Sequence, residues 1–366
     1  MSKYKPFKNL GPGHSIRREM EANGWNQKDL AEILSFSEKH ISRLLNNKEP
    51  ITLTTAKLLS SALGASAQFW VNLDTNYRLQ LEATAEETAT AAKALIYRYM
   101  PVRDMRSKGW LPKDNNKLIP AVKKFWEIKE LKFKFIETEA AACFRKSDSF
   151  SQFNSYYAVT WLKKAKSEAE KLKVGKYSPE KLTDFAKNIP EISTLSDGVE
   201  RFANGLKECG VKFLQIPHLE KTYIDGASFM NKKNPVIVYT ARHNRIDNFW
   251  FTVTHEIAHV LQHLRTSQTV IIDNMDDIDN TSEQEQEADA FTAEILKTEK
   301  IIEYFQGIKR KTREKIMECS DALNIAPAII IGCLQHHKEM PYSSMREFLL
   351  PTKTKVTNIE GIEAKL

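Results

Sequence analysis

The chain has 366 residues, enough for two or three domains with cores of their own, and 42% hydrophobic with 10% aromatic content excludes a disordered or fibrous protein. Lys and Arg number 54 against 47 Asp and Glu, a net charge of +7 that permits a polyanionic partner without requiring one. The N-terminal MSKYKPFKNLGPGHS lacks a signal-peptide apolar run, no segment reaches membrane-span length, and Cys143, Cys209, Cys319 and Cys333 form no CxxC pair; the expectation is a cytoplasmic protein with reduced, structural thiols and no membrane partner.

Residues 12 to 82 carry five short amphipathic stretches separated by turn signals. After Asn23-Gly24, Asn26 caps a helix with apolar residues at Leu30, Ile33 and Leu34. A tight turn at Ser35-Phe36 follows. Ser37 then caps a second helix that buries Ile41, Leu44 and Leu45 and directs Glu38, Lys39, His40, Ser42 and Arg43 outward. Two short helices joined by a three- to four-residue turn, the second polar on its outer face, are the layout of a helix-turn-helix that places its second helix in the major groove.

The pattern GxxIRxxMxxxGWxQxxLAxxLxxSxxxISRLLNxKxPITxxxAxxLxxALGxSxxFWxNL resembles the HigA-type subgroup of Cro/repressor-like helix-turn-helix antitoxins over almost all of residues 10 to 82. The resemblance implies a homodimer on a palindromic double-stranded DNA operator, with half-sites about one helical turn apart. Carried over position by position, Gln27 opens the first helix of the motif and meets a phosphate, while Lys39, His40 and Arg43 reach base edges beside the capping Ser37. Arg43 is the first choice for a bidentate guanine contact. The turn position that usually holds Gly is Ser35, which predicts strain at a left-handed residue.

An Ala-rich helix over 83–100 ends at Pro101, and Pro101 to Pro112 reads as a boundary. Helical patterns follow near 117–129, 150–173 and 178–188, with polar connections such as Arg145 to Asp148. Trp126, Phe150, Phe153, Tyr157 and Trp161 fall at helical intervals and read as core. No chemical motif appears, so residues 83–194 are expected to be a helical spacer. From 195 the pattern changes: a helix from Gly198 to Cys209 leads into strand-like runs at Val211–Ile216, Asp225–Phe229 and Pro235–Tyr239, the last two flanking the turn Asn231 to Asn234. A further short strand is expected at Val270 to Asp273, followed by an acidic surface loop to Asn280.

Between these strands lies DNFWFTVTHEIAHVLQHL, residues 247–264, with His255-Glu256-Ile257-Ala258-His259 in a run free of Pro and Gly from Phe249 to Leu264. On a helix, residues four apart share a face, so the two imidazoles can converge on one ion with Glu256 beside the open position. That is the arrangement of zinc-dependent peptide hydrolysis. A catalytic site needs a third protein ligand, and Glu283, Glu285 and Glu287 compete for it on a second helix capped by Ser282 with Ala288, Phe291, Ile295 and Leu296 as its buried stripe. A metzincin would need a His six residues after His259, where Arg265 stands. His263 can share the ligand face but reads as a surface histidine or one that supports the ligands from behind, since a Glu already completes the coordination.

HEIAH followed by ExEADxF resembles the ImmA/IrrE family of metallopeptidases, and the resemblance implies Glu285, three places before Ala288, as the third ligand. Asp289, one turn on, can hydrogen-bond a ligand imidazole from behind. Tyr239 and His243 precede the helix and are candidates for stabilising an oxyanion. His336-His337 is not expected to form a second site, because adjacent residues point to different sides of a helix.

The expected architecture is mainly α with a small α+β zincin domain: an N-terminal five-helix bundle (1–82), a helical spacer (83–194), an HExxH domain with a small twisted sheet (195–340) and a loose tail (341–366). The expected function is a DNA-binding regulator with zinc endopeptidase activity toward a protein, implied by the resemblance to be a repressor. His255, His259 and Glu285 would hold Zn²⁺, with Glu256 as the proton carrier; manganese and iron suit the same donor set. The competing reading is a HigA-like antitoxin and autorepressor whose C-terminal domain binds a toxin or a ligand without proteolysis. A general degradative peptidase fits poorly with a sequence-reading domain.

Overall fold

The computed structural model describes residues 10–79, 81, 85–143, 153–264, 270–273 and 282–352. The connection at 145–148, the acidic loop beyond Asp273 and the tail beyond Thr352 lie outside them. Contacts divide the chain into two units, Met1–Thr90 and Ala91–Leu366.

In the first unit α1 (Pro12–Ala22), α2 (Gln27–Leu34), α3 (Glu38–Leu45), α4 (Leu53–Leu63) and α5 (Ala67–Leu79) enclose a core of Ile16, Leu30, Ile41, Leu44, Leu59 and Trp70. Asn26 and Asp29 form a capping box on α2, and the Ser37 hydroxyl accepts the His40 N–H to start α3. The chain leaves α2 through Ser35 in the left-handed region, φ 58° and ψ 39°, and the Phe36 N–H bonds back to the Ala31 carbonyl at 2.9 Å. Buried Asp74 on α5 accepts the Ile51 N–H at 3.0 Å, fixing the entry to α4.

The second unit contains α6 (Ala85–Tyr99) from Ala91 onward, α7 (Val102–Ser107), α8 (Leu118–Trp126), α9 (Lys134–Cys143), α10 (Ser155–Lys171), α11 (Pro179–Lys187), α12 (Ile189–Thr194) and α13 (Gly198–Glu208). A mixed sheet follows in the order β1-β3-β2-β4, built from β1 (Lys212–Gln215), β2 (Gly226–Asn231), β3 (Asn234–Tyr239) and β4 (Val270–Asp273). β1 runs parallel to β3 with Lys212 opposite Val236, while β2 is antiparallel to both β3 and β4. The β2–β3 hairpin turns at Lys232-Lys233, where Lys232 takes φ 59°. α14 (Ile246–Gln262), α15 (Glu283–Ile295), α16 (Thr298–Phe305), α17 (Arg313–Leu323) and α18 (Pro327–His336) complete the unit.

The sheet is covered on both faces. Phe213, Ile237 and Tyr239 join Phe202, Phe249, Trp250, Val253 and Ile257 in one core. Leu214, Ala227, Phe229, Val236 and Val238 face the other way and pack with Ile96, Met105, Trp126, Ile136, Val159, Trp161 and Leu162. Described residues between Ile96 and Ala169, expected to belong to a spacer, therefore supply half of a shared core: strands apolar on both sides need a second layer, and α10 contributes to it. The segment expected to be a loose tail also begins packed. Leu349 and Thr352 are buried, the Thr352 N–H bonds Asn244 Oδ1 at 2.9 Å, and the Ile246 N–H bonds the Leu350 carbonyl at 2.9 Å. Among the described residues no single helix is long and apolar enough to cross a membrane.

Candidate functional site

α14 is apolar around most of its circumference and lies buried between sheet and helices, which is why it can carry His255, Glu256 and His259 inward. Its first turn is anchored by Arg245, whose guanidinium bonds Asp247 at 2.6 Å and Gln335 on α18 at 2.7 Å. Gly332 lets α18 close on that pair, since a Cβ there would stand 2.6 Å from Asp247 Oδ2.

One turn apart on α14, His255 and His259 bring their Nε2 atoms to 3.0 Å from each other. Glu285, in the first turn of α15 where Ser282 caps the helix, places Oε2 3.1 Å from His255 Nε2 and Oε1 3.6 Å from His259 Nε2. Ala288, fully buried, lets α15 approach α14 closely. One donor atom from each of His255, His259 and Glu285 lies within 4.8 Å of the others. Donors about 2.0–2.1 Å from a tetrahedral ion stand roughly 3.3–3.4 Å apart, so two imidazole nitrogens and a carboxylate at these spacings fit a divalent cation. Burial raises the Glu285 carboxyl, but the His255 and His259 rings beside it outweigh that and hold the group well below the usual carboxylate range.

The nitrogens on the far side of the rings are also engaged. His255 Nδ1 lies 3.1 Å from Asp289 Oδ1. His259 Nδ1 lies 2.9 Å from His263 Nδ1, and His263 Nε2 lies 2.9 Å from Glu287 Oε2. Of the three competing glutamates, Glu285 thus sits with the imidazole pair and Glu287 sits behind it. His263, read from the sequence as either a surface histidine or one supporting the ligands from behind, is 8% exposed and lies behind His259.

Glu256 is fully buried and turned onto β2, where Oε2 accepts the Ser228 hydroxyl at 2.7 Å. Gly226 on the same strand face leaves room for the carboxylate. Ser228 and Gly226 carry no motif. Their signal is the period of two that puts 226 and 228 on one face of β2, which becomes useful only once the strand is paired to α14. The two oxyanion candidates lead elsewhere: the Tyr239 hydroxyl meets Thr352 at 3.1 Å in the core, where burial raises its pKa, and His243 Nε2 lies 3.8 Å from Asp225.

In the first unit Lys39 and Arg43 are exposed on α3. The Arg43 Nε bonds Glu49 Oε2 at 2.8 Å, leaving the Nη groups as its outward donors. Gln27 donates through Nε2 to the Glu38 carbonyl at 2.8 Å and so ties α2 to the start of α3. His40 departs from the outward orientation expected of it. Its ring packs 4.5 Å from that of Phe36, and its buried Nε2 has no hydrogen-bond partner among the described residues.

Comparison with known families matches residues 16–70 to one described as helix-turn-helix. Residues 207–326 match a peptidase family described as IrrE N-terminal-like domain. No curated protein matches the chain. The chain therefore carries an N-terminal helix-turn-helix domain of DNA-binding type and a C-terminal IrrE/ImmA-like peptidase-family domain. Both candidate sites fall inside the matched segments, whereas the helices that cover the second face of the sheet fall outside them.

Proposed function

We propose that the protein is a DNA-binding regulator with zinc-dependent endopeptidase activity toward another regulatory protein. The observation that carries this reading is the convergence of His255 Nε2, His259 Nε2 and the Glu285 carboxylate beside buried Glu256. A zinc ion held by those three groups supplies Lewis acidity toward a water and a scissile carbonyl. Glu256, steadied by the Ser228 hydroxyl at Oε2, accepts the water's proton on its carboxylate and delivers it to the leaving amide nitrogen. Asp289 holds the His255 ring from behind.

The helix-turn-helix, acting as a homodimer through Lys39 and Arg43, brings the peptidase to an operator and to the repressor bound there. A fully buried carboxylate at position 256 favours hydrolysis over the ligand-binding antitoxin alternative, because a structural metal site has no use for a proton carrier next to its ligands.

The test is to purify the full chain without chelator and to measure bound metal by mass spectrometry in the wild type, Glu256→Gln and His259→Ala. Zinc near one equivalent in the first two and absent from the third is the expected result. A wild type that takes up no metal after zinc is added back overturns the peptidase and leaves the DNA-binding antitoxin.

A further inference from the structure

The two histidine ligands are supported differently. His255 meets a carboxylate directly, at Asp289, whose side chain is 75% exposed. His259 is fully buried, and its Nδ1 meets a third histidine, His263. Residues 255, 259 and 263 are spaced by four, so their rings follow one another along one face of α14 and its C-cap with centroids 4.6 Å and 5.1 Å apart.

We propose that His263 and Glu287 are positioning residues that orient His259 as a metal ligand through a chain of two hydrogen bonds; this deepens the zinc reading above and rests on it. If Nε2 of His259 is to offer a lone pair, its proton must sit on Nδ1. That proton is donated to His263 Nδ1 at 2.9 Å, which fixes His263 as an acceptor there and puts its own proton on Nε2. The Nε2–H then donates to Glu287 Oε2 at 2.9 Å. Only this arrangement satisfies both contacts and leaves His259 Nε2 facing Glu285 and His255 as a donor atom. The chain ends on an anion, so it fixes the tautomer and raises the basicity of the ligand nitrogen, as a carboxylate behind a metal-bound histidine does directly. Glu287 is therefore not a spare acid on a solvated face, although half of its side chain is exposed.

The test uses the full chain and reads zinc affinity by competition with a chromophoric chelator, together with the visible absorption of the Co²⁺-loaded protein. His263→Leu fills the space and removes the acceptor; it is expected to weaken zinc roughly 10- to 100-fold. His263→Asn places Oδ1 close to the former Nδ1 and is expected to recover most of that loss. Glu287→Gln keeps an acceptor but not the charge, and is expected to lose less than His263→Leu. Circular dichroism of the metal-free variants checks that each is folded. If His263→Leu binds as tightly as wild type, or if Asn rescues no better than Leu, the chain is mere packing and the inference is overturned, while the zinc site itself stands. A wild type that binds no metal overturns both.

Discussion

A methyl group on residue 226 would stand 2.1 Å from Oε1 of Glu256, so the first residue of β2 and the acid of the HExxH motif share one small volume. Gly226→Ala is expected to push the carboxylate away from Ser228 and to abolish peptide cleavage. Because the nearest atom is the end of a side chain, the fold gives way there first, and the stability loss should stay within about 1–3 kcal/mol. Unfolding midpoints and metal content measured beside cleavage separate the two effects; full activity in this variant would mean that Glu256 works from another position.

Glu256→Gln is expected to lower cleavage by about 10²- to 10⁴-fold, the usual contribution of a proton carrier, with metal content unchanged. Ser228→Ala should cost less, because it removes one hydrogen bond to a charged acceptor and not the acceptor itself. In the Glu256→Gln background the serine substitution should add almost nothing. Additive losses in that double-mutant cycle would contradict a role for Ser228 exercised through Glu256.

On α3 the side chains have separate jobs. Arg43→Ala is expected to cost about 1–3 kcal/mol of binding to a selected operator and to relax preference at one base pair. Lys39→Ala should also relax preference at a base pair, but by less than Arg43→Ala, because an ammonium lacks the bidentate fork of a guanidinium. His40→Ala removes the ring packed on Phe36 and should lower the stability of the first unit more than base discrimination. Fluorescence anisotropy at several salt concentrations, set against thermal melts, distinguishes the three.

Ser35 pays conformational strain for a turn that glycine makes freely, with φ 58° and ψ 39°. Ser35→Gly is expected to stabilise the first unit by about 0.5–1 kcal/mol, seen as a higher denaturant midpoint. An unchanged or lower midpoint would show that the serine makes up the difference elsewhere.

Three cysteines should be inert in the folded chain. Cys209, Cys319 and Cys333 are buried, and burial pushes the Cys319 thiol up to about 11 and the Cys333 thiol up to about 12. Thiolate is the reactive form, so a thiol reagent at mildly alkaline pH should reach these three only after denaturation. Prompt labelling of Cys333 in the native protein would contradict its placement.

The sequence exposes different parts of the molecule to different degrees. Asn26, Ser37 and Ser282 mark helix starts by local hydrogen bonding, and the spacing of His255 and His259 marks a helix face; both are local properties and are found where the pattern puts them. The partners of Glu256 and His259 are not local. Ser228 and Glu287 reach them only after strand, helix and helix have packed, and no local spacing ties either residue to its partner. The middle segment hides its role for a related reason: its aromatics declare a core without naming what they cover. A usable signal lay in β3, where Val236, Ile237 and Val238 run without alternation, the mark of a strand buried on both sides.

That second covered face decides what portable piece of this protein exists. A fragment started at residue 195, where the sequence pattern changes from helices alone to helix and strand, would bare Leu214, Ala227, Phe229, Val236 and Val238 to water as one continuous apolar sheet surface. Such a surface recruits other chains edge and face, and the fragment would be lost to aggregation before its chemistry could be assayed. Any recombinant or evolutionary transfer of the peptidase has to carry the helices from Ala91 onward with it.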